Sequence, residues 1–241
     1  MSELLLELQG VHTHIGAYHI LHGVDLAVPR GEVTMLLGRN GAGKTTTLRT
    51  IMGLWQASQG SIRFGQQDIT RLATPAIARL NIAYVPENMG IFADLTVKEN
   101  LVLAARSASN AARMDRSRLD WIYELFPAVQ KFWDHPAGKL SGGQKQMVAV
   151  ARAMVEPRDL LIVDEPSKGL APAIINNMIE AFARLKACGV SILLVEQNIA
   201  FAKRLGDGVA VMDNGRVVYA GRMADLAADE ALQQSLLGLS L

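Results

Sequence analysis

The segment Gly38-Arg39-Asn40-Gly41-Ala42-Gly43-Lys44-Thr45 constrains this 241-residue chain more than any other. It fits the pattern G-x-x-x-x-G-K-[ST], and its setting matters as much as its letters. Residues 33–37 (VTMLL) before it form an unbroken apolar run, the pattern of a strand buried on both faces in a parallel sheet. Residues 44–52 after it have helical spacing. Strand, glycine-rich turn and helix in that order build a phosphate pocket. Glycines let backbone N–H groups turn inward, and the helix N-terminus adds positive potential. Lys44 is expected to reach β- and γ-phosphates, Thr45 to ligate Mg²⁺ through its hydroxyl, and Thr46 to donate to a phosphate oxygen. The bland alternative, a chance glycine-rich turn, leaves the flanking strand and helix unexplained.

Runs at 82–85, 160–163 and 192–195 repeat the buried-strand pattern. Counting 33–37, three of the four runs follow a segment with helical spacing, which is the βαβ arrangement of a parallel sheet. Helices are expected at 44–52, 117–126, 142–154 and 173–188; the last starts after Pro172 and stops before Gly189. Residues 97–132 have helical periodicity and no convincing strand. Residues 89–156 therefore read as a mostly helical insertion between two strands of the parallel sheet. Residues 4–11 and 24–28 read as strands, and 4–28 with 61–64 as antiparallel β structure to one side. Strands at 208–212 and 217–220 flank Asn214-Gly215, a strong hairpin signal. Residues 106–118 (RSASNAARMDRSR) read as a solvated loop. The fold class is α/β: one domain over 3–237, with a core from 1–88 and 157–241 and the helical insertion at 89–156.

A second carboxylate-bearing feature follows the run at 160–163. Asp164 and Glu165 end an apolar strand, and acids at a strand's C-terminal end project into the crevice where ligands bind in open α/β sheets. Beside a phosphate loop, Asp164 is expected to hold Mg²⁺ and Glu165 to orient the attacking water. That division is sufficient, because phosphoryl transfer is catalysed mainly by positioning and charge stabilisation. Alone, an apolar run ending in two acids is a weak signal, equally consistent with a solvated strand end.

Composition bounds the alternatives. Half the residues are hydrophobic, so a substantial core is available, and the formal net charge of +1 does not point to nucleic acid or an anionic membrane surface. The single cysteine, Cys188, excludes an internal disulfide framework and suits a reducing compartment. No apolar run approaches the length of a membrane span, and residues 1–9 do not read as a secretory signal. These features give the expectation of a soluble cytoplasmic protein.

Leu140-Ser141-Gly142-Gly143-Gln144 decides the family. Read locally, it is a helix start: Ser141 caps and the glycines bend. Yet two glycines and a serine at a helix N-terminus also make a second anion site. Phosphate loop, helical insertion, this motif, then Asp164-Glu165 beginning 20 residues after Gln144 (164 − 144) resemble the ABC ATPases over nearly the whole chain. The resemblance implies a P-loop NTPase fold of ABC type and a head-to-tail pair of domains. Each ATP would lie between Lys44 of one domain and Ser141, Gly142, Gly143 and Gln144 of the other. Binding would close the pair and hydrolysis release it.

Several segments are similar to one branch, the ATPases of branched-chain (hydrophobic) amino acid importers: Val85-Pro86-Glu87, Leu95-Thr96-Val97-Lys98-Glu99-Asn100-Leu101, Gly169-Leu170-Ala171-Pro172 and Val195-Glu196-Gln197-Asn198. Most ABC ATPases carry Gln where Glu87 stands and His where Gln197 stands. By this resemblance Glu87 helps hold Mg²⁺ and Gln197 bonds the γ-phosphate, and Gln197 cannot accept a proton. The adenine-stacking aromatic of the branch falls at Ile15, which offers contact without π-stacking; His14 and Tyr18 are the alternatives. Lys168 replaces a usually apolar residue in the loop that crosses to the partner, where it either pairs with an acid or lies exposed.

The branch implies an importer motor peripheral to the cytoplasmic face of the inner membrane. Its partners would be a second ATPase subunit, permease subunits docking around residues 87–100 and, indirectly, a solute-binding protein. An exporter of lipid or polysaccharide is the alternative. A DNA-acting ATPase needs a long coiled coil, but only 97 positions separate Lys44 from Ser141 (141 − 44). No nucleic acid partner is expected.

Overall fold

The structure, a computed structural model, describes residues 3–105 and 114–238. In chain order its elements are β1 (Leu4–Ile15), β2 (Tyr18–Pro29), β3 (Val33–Gly38), α1 (Lys44–Ile51), β4 (Ala57–Phe64), β5 (Gln67–Asp68), α2 (Thr74–Ala78) and β6 (Ile82–Val85). The insertion follows with α3 (Val97–Val102), α4 (Arg116–Leu125), α5 (Pro127–Lys131) and α6 (Gly142–Ala153). Then come β7 (Leu160–Asp164), α7 (Pro172–Ala187), β8 (Ser191–Glu196), α8 (Ile199–Leu205), β9 (Gly208–Asp213), β10 (Arg216–Arg222), α9 (Met223–Ala228) and α10 (Glu230–Leu237).

The core sheet runs β10-β9-β3-β8-β7-β6, parallel except for the antiparallel edge strand β10. Every residue of β3, β7 and β8 is buried, as their continuous apolar runs require. Because side chains alternate faces along a strand, each strand feeds two cores. Met35, Leu37, Leu161 and Val163 face a cluster shared with the helical insertion, including Leu101, Ile122 and Val148. Leu36, Ile162, Leu193 and Val195 face a second cluster closed by the antiparallel sheet β2-β1-β4-β5 through Leu6, Val11 and Leu21. Full burial of such side chains contributes roughly 1.5–3 kcal/mol each, so the sheet is clamped from both sides.

The structure departs from the sequence reading in the first hairpin and at the strand expected over 61–64, which begins at Ala57. The first hairpin is longer than the expected strands: β1 reaches Ile15 and β2 begins at Tyr18, paired across Gly16 and Ala17. Register shifts between Leu8 and Val11, between Val11 and His12 and between Thr13 and His14 break the clean alternation that pattern reading needs. His14 and His19 stack across this hairpin with ring centroids 4.2 Å apart. The expected loop at 106–118 lies outside the described residues over 106–113; beyond it, Asp115 already caps α4 through Ser117 and Arg118 N–H groups.

Candidate nucleotide site

β3 ends where the phosphate loop begins. Gly41 and Gly43 have φ of +82° and +104°, left-handed values that favour glycine. At Gly43 a Cβ would also be crowded, lying 3.0 Å from Leu21 Cδ2. The β9–β10 turn braces the loop from behind. Gly215 N donates to Ala42 O at 2.9 Å, and His22 N donates to Gly215 O at 2.9 Å. Ala42 is buried beneath the loop.

Lys44, 5 % exposed, opens α1. Its Nζ donates to Gly38 O at 2.8 Å and Arg39 O at 3.0 Å, folding the side chain over the loop. Burial holds its pKa below the ordinary lysine value, opposed by the charges of Glu165 and Asp164. Glu165 Oε1 lies 3.8 Å from this ammonium.

β7 delivers the two acids. Asp164 is 1 % exposed, and neither carboxylate oxygen has a hydrogen-bond partner. Burial lifts its pKa from 3.8 to about 6; the nearby Thr45 hydroxyl opposes the shift without forming a hydrogen bond of ordinary geometry. A buried, unpartnered acid costs stability, and a cation beside it would remove that cost. Glu165 has φ +48°, a left-handed conformation rare for a non-glycine residue, held by its N–H donating to Val195 O at 2.9 Å. Gln197 Nε2 donates both to Glu165 Oε1 and, at 2.8 Å, to Asn40 Oδ1.

A cavity of about 400 Å³ gathers Asn40, Gly41, Gly43, Lys44, Thr45 and Thr46 with Glu87 and Glu165. A neighbouring cavity of about 360 Å³ takes in Gly38, Arg39 and Gln197. The phosphate loop, Glu165, Glu87 and Gln197 are thus brought together, with Asp164 buried near Thr45 and Lys44 and lining neither cavity. Ile15 and the Ser141–Gln144 segment do not line the cavity that holds Lys44. Ser141 and Gln144 instead close a capping box, in which Ser141 N donates to Gln144 Oε1 at 2.9 Å and Gln144 N donates to Ser141 Oγ at 3.3 Å. Ser141 and Gly142 are exposed.

Three features escape the sequence reading. Ile20 lines the Lys44 cavity, although Ile15 is the position marked for base contact. The register shifts that hide the hairpin also hide which of its residues face the loop. Glu196, 2 % exposed, accepts from Ser167 N and Ser167 Oγ at 2.9 Å each, and from Gln197 N at 3.2 Å. It ties the segment after Glu165 to Gln197; an acid ending an apolar run, as at Asp164, was the available signal. Lys168 is exposed, one of the two outcomes the sequence offers, and its Nζ also lies 2.5 Å from Glu87 Oε1 and 3.5 Å from Glu165 Oε2 of its own chain.

Known proteins resemble this chain in sequence and fold. Residues 21–168 match the family model described as ABC transporter. The chain is 38 % identical over 234 residues to the high-affinity branched-chain amino acid transport ATP-binding protein BraG of Pseudomonas aeruginosa, covering 97 % of this chain and 100 % of that protein. It is 34 % identical to the probable branched-chain amino acid transport ATP-binding protein LivF of Archaeoglobus fulgidus, over 92 % of this chain and 93 % of that one. Among solved structures, an ATP-binding subunit of an ABC transporter superposes with a TM-score of 0.80 at 33 % identity, covering 98 % of this chain and 95 % of the other. With the family model spanning more than half of its length, the chain belongs to the ABC transporter family as an ATP-binding cassette.

Proposed function

We propose that this chain is the ATP-hydrolysing subunit of an importer for branched-chain or other hydrophobic amino acids. It works against a second ATPase subunit and drives a membrane permease from the cytoplasmic side. The observation that carries the catalytic reading is the buried Asp164 carboxylate, unpartnered at both oxygens, beside Lys44 and Glu165 at the phosphate loop.

The loop amides of Gly41 and Gly43 and the ammonium of Lys44 bind the phosphates. Lys44 exchanges its two backbone carbonyl partners for phosphate oxygens, which also restores charge pairing to a desolvated ammonium. Asp164, Thr45 and Glu87 would hold Mg²⁺, whose chemistry is to neutralise charge on phosphate oxygens. Glu165, anchored by its backbone bond to Val195, presents its carboxylate to the attacking water and draws its proton. Gln197 spans Asn40 and Glu165 and so fixes the distance between the loop and the base. The exposed Ser141-Gly142 helix start supports docking onto the nucleotide of a facing subunit.

The test is Glu165→Gln. The variant should bind Mg·ATP like the wild type and release no phosphate above background. In cells lacking the chain, wild type but not Glu165→Gln should restore uptake of labelled leucine. Near wild-type phosphate release by the variant refutes the base assignment. Unimpaired leucine uptake without the chain refutes the cargo.

A further inference from the structure

The ammonium of Lys168 touches the two acids that the proposed reaction needs free. Lys168 Nζ is 2.5 Å from Glu87 Oε1 and 3.5 Å from Glu165 Oε2, and all three side chains line the cavity that holds Lys44 and Thr45. Glu87 comes from the segment after β6 and Glu165 from the end of β7, 78 residues later (165 − 87). Lys168 stands three residues after Glu165, where Lys168 N donates to Glu165 O at 3.2 Å and closes a turn. That turn directs the side chain back over the acids. Two carboxylates converging on one cavity repel each other unless a cation stands between them. Lys44 reaches only Glu165, at 3.8 Å.

We infer that Lys168 is a positioning residue that acts as an internal cation in the metal-free site, clipping Glu87 to Glu165 until Mg·nucleotide arrives. The inference rests on the proposed function, in which Glu87 helps hold Mg²⁺. The clip has two consequences. It keeps Glu87 and Glu165 aimed into the cavity when no metal is present. It also competes with Mg²⁺, because two cations drawn to the same carboxylate repel each other. The side chains of Lys168 and Glu87 are 59 % and 47 % exposed, so the competition is weak by the measure of solvent-exposed ion pairs. It therefore tunes the metal requirement and does not block it.

The experiment measures binding of a fluorescent, non-hydrolysable ATP analogue to the full chain while free Mg²⁺ is raised from a chelated start. Binding, not turnover, is read. Lys168→Met should reach half-saturation at about two- to fivefold lower Mg²⁺ than wild type. Lys168→Arg keeps the charge and should stay within twofold of wild type. Unchanged or raised Mg²⁺ demand in Lys168→Met overturns the inference, as does Lys168→Arg behaving like Lys168→Met. A wild type that binds the analogue with no Mg²⁺ dependence overturns the metal assignment and the inference together. Clear wild-type dependence with an unresponsive Lys168→Met overturns the inference alone.

Discussion

Asp164→Asn should make the nucleotide-free protein more stable while abolishing its stabilisation by Mg·ATP. Asp164 is 1 % exposed with neither oxygen hydrogen-bonded, and its pKa rises from 3.8 to about 6. At neutral pH the shift of about two units means that holding the ionised form costs about 3 kcal/mol. An amide of the same shape carries no charge but leaves its own N–H groups in need of partners. A net gain of about 2 kcal/mol, or roughly 4–8 °C in Tm for a chain of this size, is expected. The sign follows from linkage. The folded state holds the proton more tightly than the unfolded chain, so this group's contribution falls as pH rises between about 4 and 6. The variant's advantage should thus be full above pH 7, about a third as large at pH 5, and near zero at pH 4. Thermal unfolding in chelator at those three pH values measures it, and a repeat with Mg·ATP tests the ligand arm. A nucleotide-free variant that melts below wild type at pH 7.5, or one whose advantage does not change with pH, refutes the reasoning.

Further outcomes are expected at other positions. Lys44→Ala should lose nucleotide binding, whereas Gln197→Ala, which removes hydrogen bonds but no charge, should slow phosphate release less; equal losses would show that Gln197 does more than position Glu165. Gly143→Ala places a Cβ 2.6 Å from Ile174 Cγ2, an overpacking that should cost about 1–3 kcal/mol in denaturant unfolding and be relieved by Ile174→Ala. His22 is held below its ordinary 6.5, first by burial and then by the charges of His19 and Arg216. Because the unfolded chain takes up that proton first, acidification below pH 6.5 should lower stability, and His22→Asn should flatten this part of the Tm–pH curve relative to wild type.

Local order carried most of the site's chemistry. The run 33–37, the glycines and Lys44 could be read together because strand, loop and helix are consecutive and each has its own pattern. The same holds for Asp164 and Glu165 at the end of β7, and for Ser141, whose cap on α6 depends only on Gln144 three residues on. The first hairpin was read short because its register shifts break the period-2 signal on which such a reading depends.

What pattern could not supply was contact between distant segments. Gly215 as a strut under Ala42, Ile20 as a wall of the Lys44 cavity, Glu196 as the tie from Ser167 to Gln197, and Lys168 across Glu87 and Glu165 all join residues whose pairing the chain's order does not encode. Their meeting depends on β7 and β8 lying side by side with β6 beyond, and on β9 beside β3. Such neighbours are set by sheet topology and packing. By itself the sequence singled out the groups proposed to bind phosphate and the acids proposed to act beside them. The tertiary structure decided which of those acids stays bare and which already holds a cation.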